Sequence, residues 1–439
     1  MDGDLNWKVG TAVVEITPKE SMWLAGWAAR REPASGTATP LYAKALAIQD
    51  AAGTTLVICT VDLIAITREI VNPVAELIFE KHGILREHLL FNASHTHTGP
   101  EIRIDKAPFF GIPEEFAAKI PKYNEELKQN LVQVIGEALA SIEPASLYVT
   151  STRCDIAENR RKPPGPVDYD VPILIATDEK NYIHSVAFGY ACHNLTLPPT
   201  FVQYCAEFSG EAVEQVDVMF LSDPIFYLSG AGADLDPRKT PLEADPTEIQ
   251  TDLTLTQSHG YALGDAVYSG VMEPSLRKTL AGPLRIAYSE TPLDFEPLRS
   301  REQLEADLTC DDPPKRTKAR FLLDAIDSGR PLPTSYPCPL QVISFGDELL
   351  LIAMSAEPVV QFALDFKKQY GPGMVWVAGY CNDMFGYIAT QEIQEQGGYE
   401  GGRATLWSAL PGPFTRATER RVREAVDALV RRVRHSPDS

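Results

Sequence analysis

Residues 55–64 read TLVICTVDLI, residues 88–94 read HLLFNAS, and between them Ile70, Val71, Val74, Leu77 and Ile78 recur at helical spacing before Gly83. The first run is β-branched and apolar at successive positions, the pattern of a strand covered on both faces. The middle segment, Thr67 to His82, carries its apolar residues on one helical face and ends at a glycine. Strand, helix and strand within about 45 residues predict a right-handed βαβ unit. Its second strand runs out into Ser94-His95-Thr96-His97-Thr98-Gly99-Pro100. In open α/β sheets ligands gather at the carboxyl ends of strands, so this loop lies where chemistry is expected.

Working outward, strands are expected at Ser146–Thr152, Val171–Ala176 and Tyr182–Ala191, the last leading into Cys192-His193-Asn194. Ile225–Arg238 is an apolar strand with a Gly-rich turn that holds Asp234 and Asp236. Leu340–Met354 alternates around Gly346-Asp347 as a β-hairpin and delivers Ser355-Ala356-Glu357-Pro358. Helices are expected over Glu114–Ile142, with Pro121 breaking or kinking it, and over Thr254–Met272, Val359–Gln369 and Phe414–Val433. The charged stretch 291–339 reads as an insertion or lid with one helix around Lys315–Asp327. No repeat or linker divides the chain, so the fold class is α/β, a mixed β-sheet core with flanking helices in one large domain spanning residues 1–439.

Composition narrows the function. With 439 residues, 44% of them hydrophobic and 23% charged, the chain can bury a large core. A formal net charge of -20 argues against nucleic acid as a partner, because that recognition relies on clustered Lys and Arg. The seven cysteines are scattered, without a CxxC pair, and read as mostly free thiols. No apolar run reaches the roughly 18 residues of a membrane span, and no signal-like segment opens the sequence, so the chain reads as cytoplasmic, with a small molecule as its expected partner.

His95 and His97 stand two apart in an extended segment and can meet one cation or substrate from the same side. His193 and Glu357 also follow apolar strands. Imidazole and carboxylate suit zinc, and a catalytic zinc keeps three protein ligands and an open position. The bland readings are histidines hydrogen-bonded at strand ends, and a carboxylate favoured by a helix N-terminus at Glu357. Arg160 and Arg161 sit in a polar loop as solvated charges or as donors to an oxyanion. Tyr387 and Tyr399 flank a Gly-rich segment as phenol donors or as walls of a pocket.

Together these pieces resemble the catalytic domain of the neutral/alkaline non-lysosomal ceramidases. The resemblance is carried by VGTAVVEITP from Val9, SHTHTGP from Ser94, ENRRKPPGPVD from Glu158 and YACHNLTLPP from Tyr190. It continues in GADLDP from Gly232, the Ala356-Glu357-Pro358 turn, and AGYCNDMFGYIAT through GGYEGG from Ala378 to Gly402. It implies a single zinc ion bound by His95, His193, Glu357 and Tyr387. It places Arg160 at the substrate and implies hydrolysis of an amide; Asp234 and Tyr399 are further candidate substrate contacts. His97 or Asp236 would relay a proton, and Arg160 or Tyr387 would stabilise an oxyanion. Two departures stand out. Asp236 occupies the place of the family's catalytic serine, and the sequence stops at Ser439 without the family's C-terminal immunoglobulin-like domain. Long-chain ceramide is therefore not the expected substrate. The same groups would serve an ester or lactone, and more distantly a glycosidic bond through Asp234, Asp236 and Glu357. A non-catalytic metal or ligand site is the alternative of a different class.

Overall fold

A computed structural model describes residues 6–161, 165–221, 224–239, 252–371 and 373–435. Residues 162–164 of the Arg160 loop lie outside the described residues. The βαβ unit is present: Thr55–Val61 and Leu89–Ala93 are parallel neighbours, in register from Val57 opposite Leu89 to Val61 opposite Ala93. The helix Arg68–His82 forms the crossover and closes on Gly83 at φ 70°, a left-handed conformation that glycine adopts without steric cost. Every residue of both strands is buried, as their unbroken apolar sequences require.

These two strands lie at one edge of a nine-stranded mixed sheet. From the other edge the order is Ile225–Ser229, Ile183–Tyr190, Asp170–Thr177, Glu143–Arg153, Trp7–Glu15, Tyr42–Asp50, Thr55–Val61 and Leu89–Ala93, with Lys278–Thr279 paired to Glu143–Arg153. The pairs at the two edges are parallel, and the pairs between them antiparallel. The sheet curls until its two ends communicate: Lys44 Nζ donates to Ile225 O at 3.0 Å, and Asn92 Oδ1 accepts from Ser229 N at 2.9 Å.

A second, four-stranded sheet contains Leu284–Asp294, Ser335–Phe345, Leu349–Met354 and Met374–Ala378. The expected hairpin is its centre, with Leu340 opposite Met354 and Phe345 opposite Leu349. Side-chain alternation distributes the strands between two cores. Ala45, Val57, Cys59 and Phe91 pack against the helices Arg68–His82 and Ile120–Ala140. Leu46, Leu56, Ile58 and Leu90 face Ile343, Phe345, Leu351 and Trp376 of the smaller sheet. Gly189 permits the close approach, since a Cβ there would lie 2.6 Å from Trp376 Nε1. Helices Glu207–Phe220 and Leu253–Val271 cover the rest of the large sheet, while Val360–Tyr370 and Thr418–His435 cover the small one. The mixed α/β reading thus takes a four-layer form of helices, sheet, sheet and helices. An apolar strand announces that both its faces are covered, but not whether a helix or another sheet does the covering.

The stretch 291–339 divides into sheet and helix. Leu284–Asp294 and Ser335–Phe345 pair through to Asp294 opposite Ser335, so both ends of the stretch belong to the sheet. Between them, Arg301–Asp307 and Pro313–Asp327 build a small core from Leu304, Leu322 and Leu323. The helical stretch from Glu114 is broken before Pro121, as expected: Glu114–Ala117 ends and Ile120–Ala140 begins with Pro121 in its first turn, where its missing N–H is not needed. All seven cysteines are free. Among the described residues, no helix is long and apolar enough to cross a membrane.

Candidate metal centre at the strand ends

His95 follows the Leu89–Ala93 strand with φ 60°, and its N–H donates to Leu63 O at 2.9 Å. Its Nδ1 lies 2.7 Å from Ile64 O. A carbonyl only accepts, so Nδ1 carries the proton and Nε2 keeps its lone pair. His193, after Ile183–Tyr190, is set in the same way, with Nδ1 3.1 Å from Gly232 O. Backbone carbonyls thus orient two imidazoles with Nε2 turned inward, the outer support typical of metal-bound histidines.

The inward atoms converge. His97 Nε2 lies 3.3 Å from His95 Nε2, and Glu357 Oε2 lies 3.4 Å from His95 Nε2 and 3.5 Å from His193 Nε2. Tyr387 Oη is 3.5 Å from His193 Nε2. Ligand atoms of His95, His97 and His193 all fall within 4.8 Å of one another. Ligands at zinc distances of about 2.0–2.1 Å, arranged as a tetrahedron, stand roughly 3.3 Å apart. The contacts to Glu357 and between His95 and His97 therefore match the edges of such a polyhedron. Glu357 Oε2 and His97 Nδ1 are buried without a hydrogen-bond partner. A cation at the convergence would satisfy the carboxylate oxygen, and the donor set fits zinc.

Charge states agree with that fit. Burial holds His95 down at about 3 and His97 well below the usual imidazole range, so both are neutral. Burial raises Glu357, the facing groups of His95, His193 and Tyr387 lower it, and the net effect holds the carboxyl at about 2. Neutral imidazole and ionised carboxylate are the forms that bind a metal. Burial raises Tyr387 well above the ordinary phenol range, so it stays a hydroxyl donor.

Arg160 stands beside this group, with Nη2 3.4 Å from Tyr387 Oη. It is held by Asp236 Oδ1 at 3.0 Å from Nη1 and by Glu400 Oε1 at 2.8 Å from Nε. Asp236 is thus an ion-pair partner of Arg160. Asp234 is buried; its oxygens accept from Val360 N at 2.8 Å and from Asn159 Nδ2 at 3.0 Å. It ties the start of the helix after Glu357 to the Arg160 loop. Tyr399 lies edge-on to Tyr387 at 5.3 Å between centroids and lines the same cleft.

Other residues shape the site without having stood out in the sequence. Glu207 Oε1 accepts from His97 N at 3.2 Å while Oε2 accepts from Leu197 N at 3.3 Å, tying together the two histidine loops. Arg30 Nη2 donates to His97 O at 2.9 Å. The Tyr380 ring lies 4.4 Å from that of His95. Glu400 follows Tyr399 within the quoted GGYEGG, and that adjacency was the available signal; Glu207 and Arg30 belong to no pattern. The cleft over the centre encloses about 830 Å³ with its mouth included, yet only about 80 Å³ stands clear of the walls by a water radius, so it is a narrow slot. Phe110, Phe385, Trp407 and Phe414 form much of its apolar wall.

Comparison with protein-family models gives no match, and comparison with curated proteins gives none. Solved structures do match. The neutral ceramidase from Pseudomonas aeruginosa superposes with a TM-score of 0.78 at 18% identity, over 99% of this chain and 76% of that one. A ceramidase complexed with C2 gives a TM-score of 0.76 at 17% identity, over 98% and 76%. The chain therefore has the fold of the neutral ceramidases.

Proposed function

We propose that the protein is a zinc-dependent hydrolase acting on amide bonds. The reading rests on one observation above others: the Nε2 atoms of His95, His97 and His193 converge with the unpartnered Oε2 of Glu357 beside a cleft in a ceramidase fold. His95, His193 and Glu357 would hold the ion, with His97 and Tyr387 at its side. Zinc bound there supplies Lewis acidity for a carbonyl and a water of lowered pKa.

The chain's own groups supply the rest. Tyr387 and Arg160 present hydrogen-bond donors on one side of the cluster, where an oxyanion would need them. His97, whose Nε2 lies 3.3 Å from that of His95, would be the group to relay a proton there. Asp236 and Glu400 fix the guanidinium of Arg160 from two sides, so the aspartate in the family serine's place positions an arginine and is not free to act as a nucleophile. These engagements also disfavour glycoside cleavage, since Asp234 is buried against Val360 and Asn159 and Asp236 is paired. With Asp236 in the family serine's place and engaged by Arg160, long-chain ceramide is not the substrate this reading expects.

Elemental analysis of the purified protein should find about one zinc per chain. His95→Ala, His193→Ala and Glu357→Ala should lose metal and activity together. Activity is measured on short-chain amides, long-chain ceramide, aryl esters, lactones and aryl glycosides. Fully metal-loaded variants would overturn the ligand set; efficient ceramide turnover would overturn the substrate reading.

A further inference from the structure

Two cations line the cleft above the imidazoles, and they are in different states. Arg103 has its charge paired: its Nε and Nη2 donate to the two oxygens of Glu101 at 2.6 and 2.7 Å. Lys106, three residues on, has one hydrogen bond, from Nζ to Trp407 O at 3.0 Å. Among the described residues no carboxylate lies within ion-pair distance of it. An ammonium carries three donors, so two remain for a ligand. Burial and the like charge of Arg103 pull Lys106 down to about 8 against the opposing influence of Asp105, Glu101 and Glu357, none of which forms an ion pair with it. The apolar wall of Phe110, Phe385, Trp407 and Phe414 strengthens any charge contact made there. Lys318 shows the contrast. It is buried nearby, but its Nζ is taken up by Ser408 O and Leu410 O behind the wall, which makes it structural.

We propose that Lys106 anchors a carboxylate of the substrate, so that the bond cleaved is the amide of an acid-bearing molecule. The net charge of -20 repels anions at long range, which makes a local cation inside the slot the means of accepting one. The location of the reaction rests on the hydrolase reading above; the binding of the anion does not.

The test uses the zinc-loaded full chain and pairs of N-acetylated amino acids: N-acetylglycine, N-acetyl-β-alanine and N-acetyl-γ-aminobutyrate, each beside its neutral carboxamide. Both kcat/KM and calorimetric Kd are measured. At least one acid should be preferred over its carboxamide by about tenfold to a hundredfold, the scale of a charge-assisted hydrogen bond. The preference should collapse in Lys106→Met and Lys106→Gln and survive in Lys106→Arg. The glutamine variant keeps a donor for Trp407 O should the methionine variant fold poorly. A preference that persists in both neutral variants, or that is absent from the wild type in every pair, overturns the anchor. Cleavage of acids and carboxamides alike would leave the hydrolase reading standing while removing the anchor. Lys106-dependent binding of acids without cleavage of any amide would do the reverse.

Discussion

Asp234→Ala separates two roles for one carboxylate. The sequence reading makes Asp234 a substrate contact; the hydrogen bonds assign it to holding the scaffold. Removing the side chain leaves the buried Val360 N–H without its acceptor, at about 1–3 kcal/mol. It also removes a negative charge from the start of the helix Val360–Tyr370, worth about 0.3–1 kcal/mol. The Asn159 amide still reaches Pro166 O at 2.9 Å, so its loss adds only about 0.5 kcal/mol. Burial raises the Asp234 pKa, and relief of that desolvation offsets part of the total. The expected net loss is about 2–4 kcal/mol. Denaturant unfolding of wild type and variant, with unchanged m-value, reads it as a lower midpoint. Zinc affinity should fall as well, because Glu357 lies three residues before the helix terminus that Asp234 holds. A variant as stable and as metal-loaded as wild type, but with kcat/KM down tenfold or more, would refute this reasoning and return Asp234 to the substrate.

Gly26→Ala should destabilise the protein and weaken metal binding at least tenfold, because Gly26 has φ 89° and a Cβ there would lie 2.5 Å from His97 Nδ1. Thermal unfolding and zinc titration check it, and wild-type values for both would contradict the packing. Arg160→Ala and Tyr387→Phe should each lower turnover on the cleaved amide by about a hundredfold. Near-wild-type rates would take both out of the mechanism. Lys318 gives a pH signature: burial, with Lys106 nearby, lowers it from 10.5 to about 7. Between those values the unfolded chain holds a proton that the folded chain does not, so the wild type should gain stability as pH rises through that window. Lys318→Met should lose that gain, and equal slopes for both proteins in pH-dependent denaturation would refute it.

The positions of His95, His193 and Glu357 were legible because each follows an apolar run whose period announces a strand, and strand ends collect ligands. With only eight histidines in the chain, several at such ends was an informative coincidence. The joint between the sheets was illegible, since Leu56 and Val57 are equally apolar yet face different layers. Prolines hid the ends of the pair Leu284–Asp294 and Ser335–Phe345. Pro292 stands opposite Pro337, and Pro339 opposite Glu290. Proline removes a ladder donor and reads as a break, but residues 335–339 have a partner strand on one side only, where the missing N–H is tolerated. The helix Glu207–Phe220 escaped because nothing before Glu207 signals a cap; Ala206 makes no side-chain cap bond.

A further part of the site was hidden in the backbone. His95, Glu207, Ala356, Tyr380 and Asn382 all have φ between 55° and 63°, and among the described residues only Asn181 and Leu221 of the other non-glycine residues share a positive φ. Each such residue costs on the order of 1 kcal/mol, and glycine would remove most of that cost. The sequence offers no glycine at these five positions, so it gives no sign of the turns. The segments instead lace one another: Ala356 N donates to Asp383 O at 2.8 Å, Tyr380 N to Ala356 O at 3.0 Å and Asn382 N to Phe91 O at 2.9 Å. Strain in one turn is thereby opposed by hydrogen bonds from the next. Ala356 turns the chain just before Glu357, Tyr380 lies against the His95 ring, and Glu207 holds the backbone of His97. The strained residues are those that set where the carboxylate and imidazoles stand, and side chains at these positions narrow the backbone's choices where glycine would widen them.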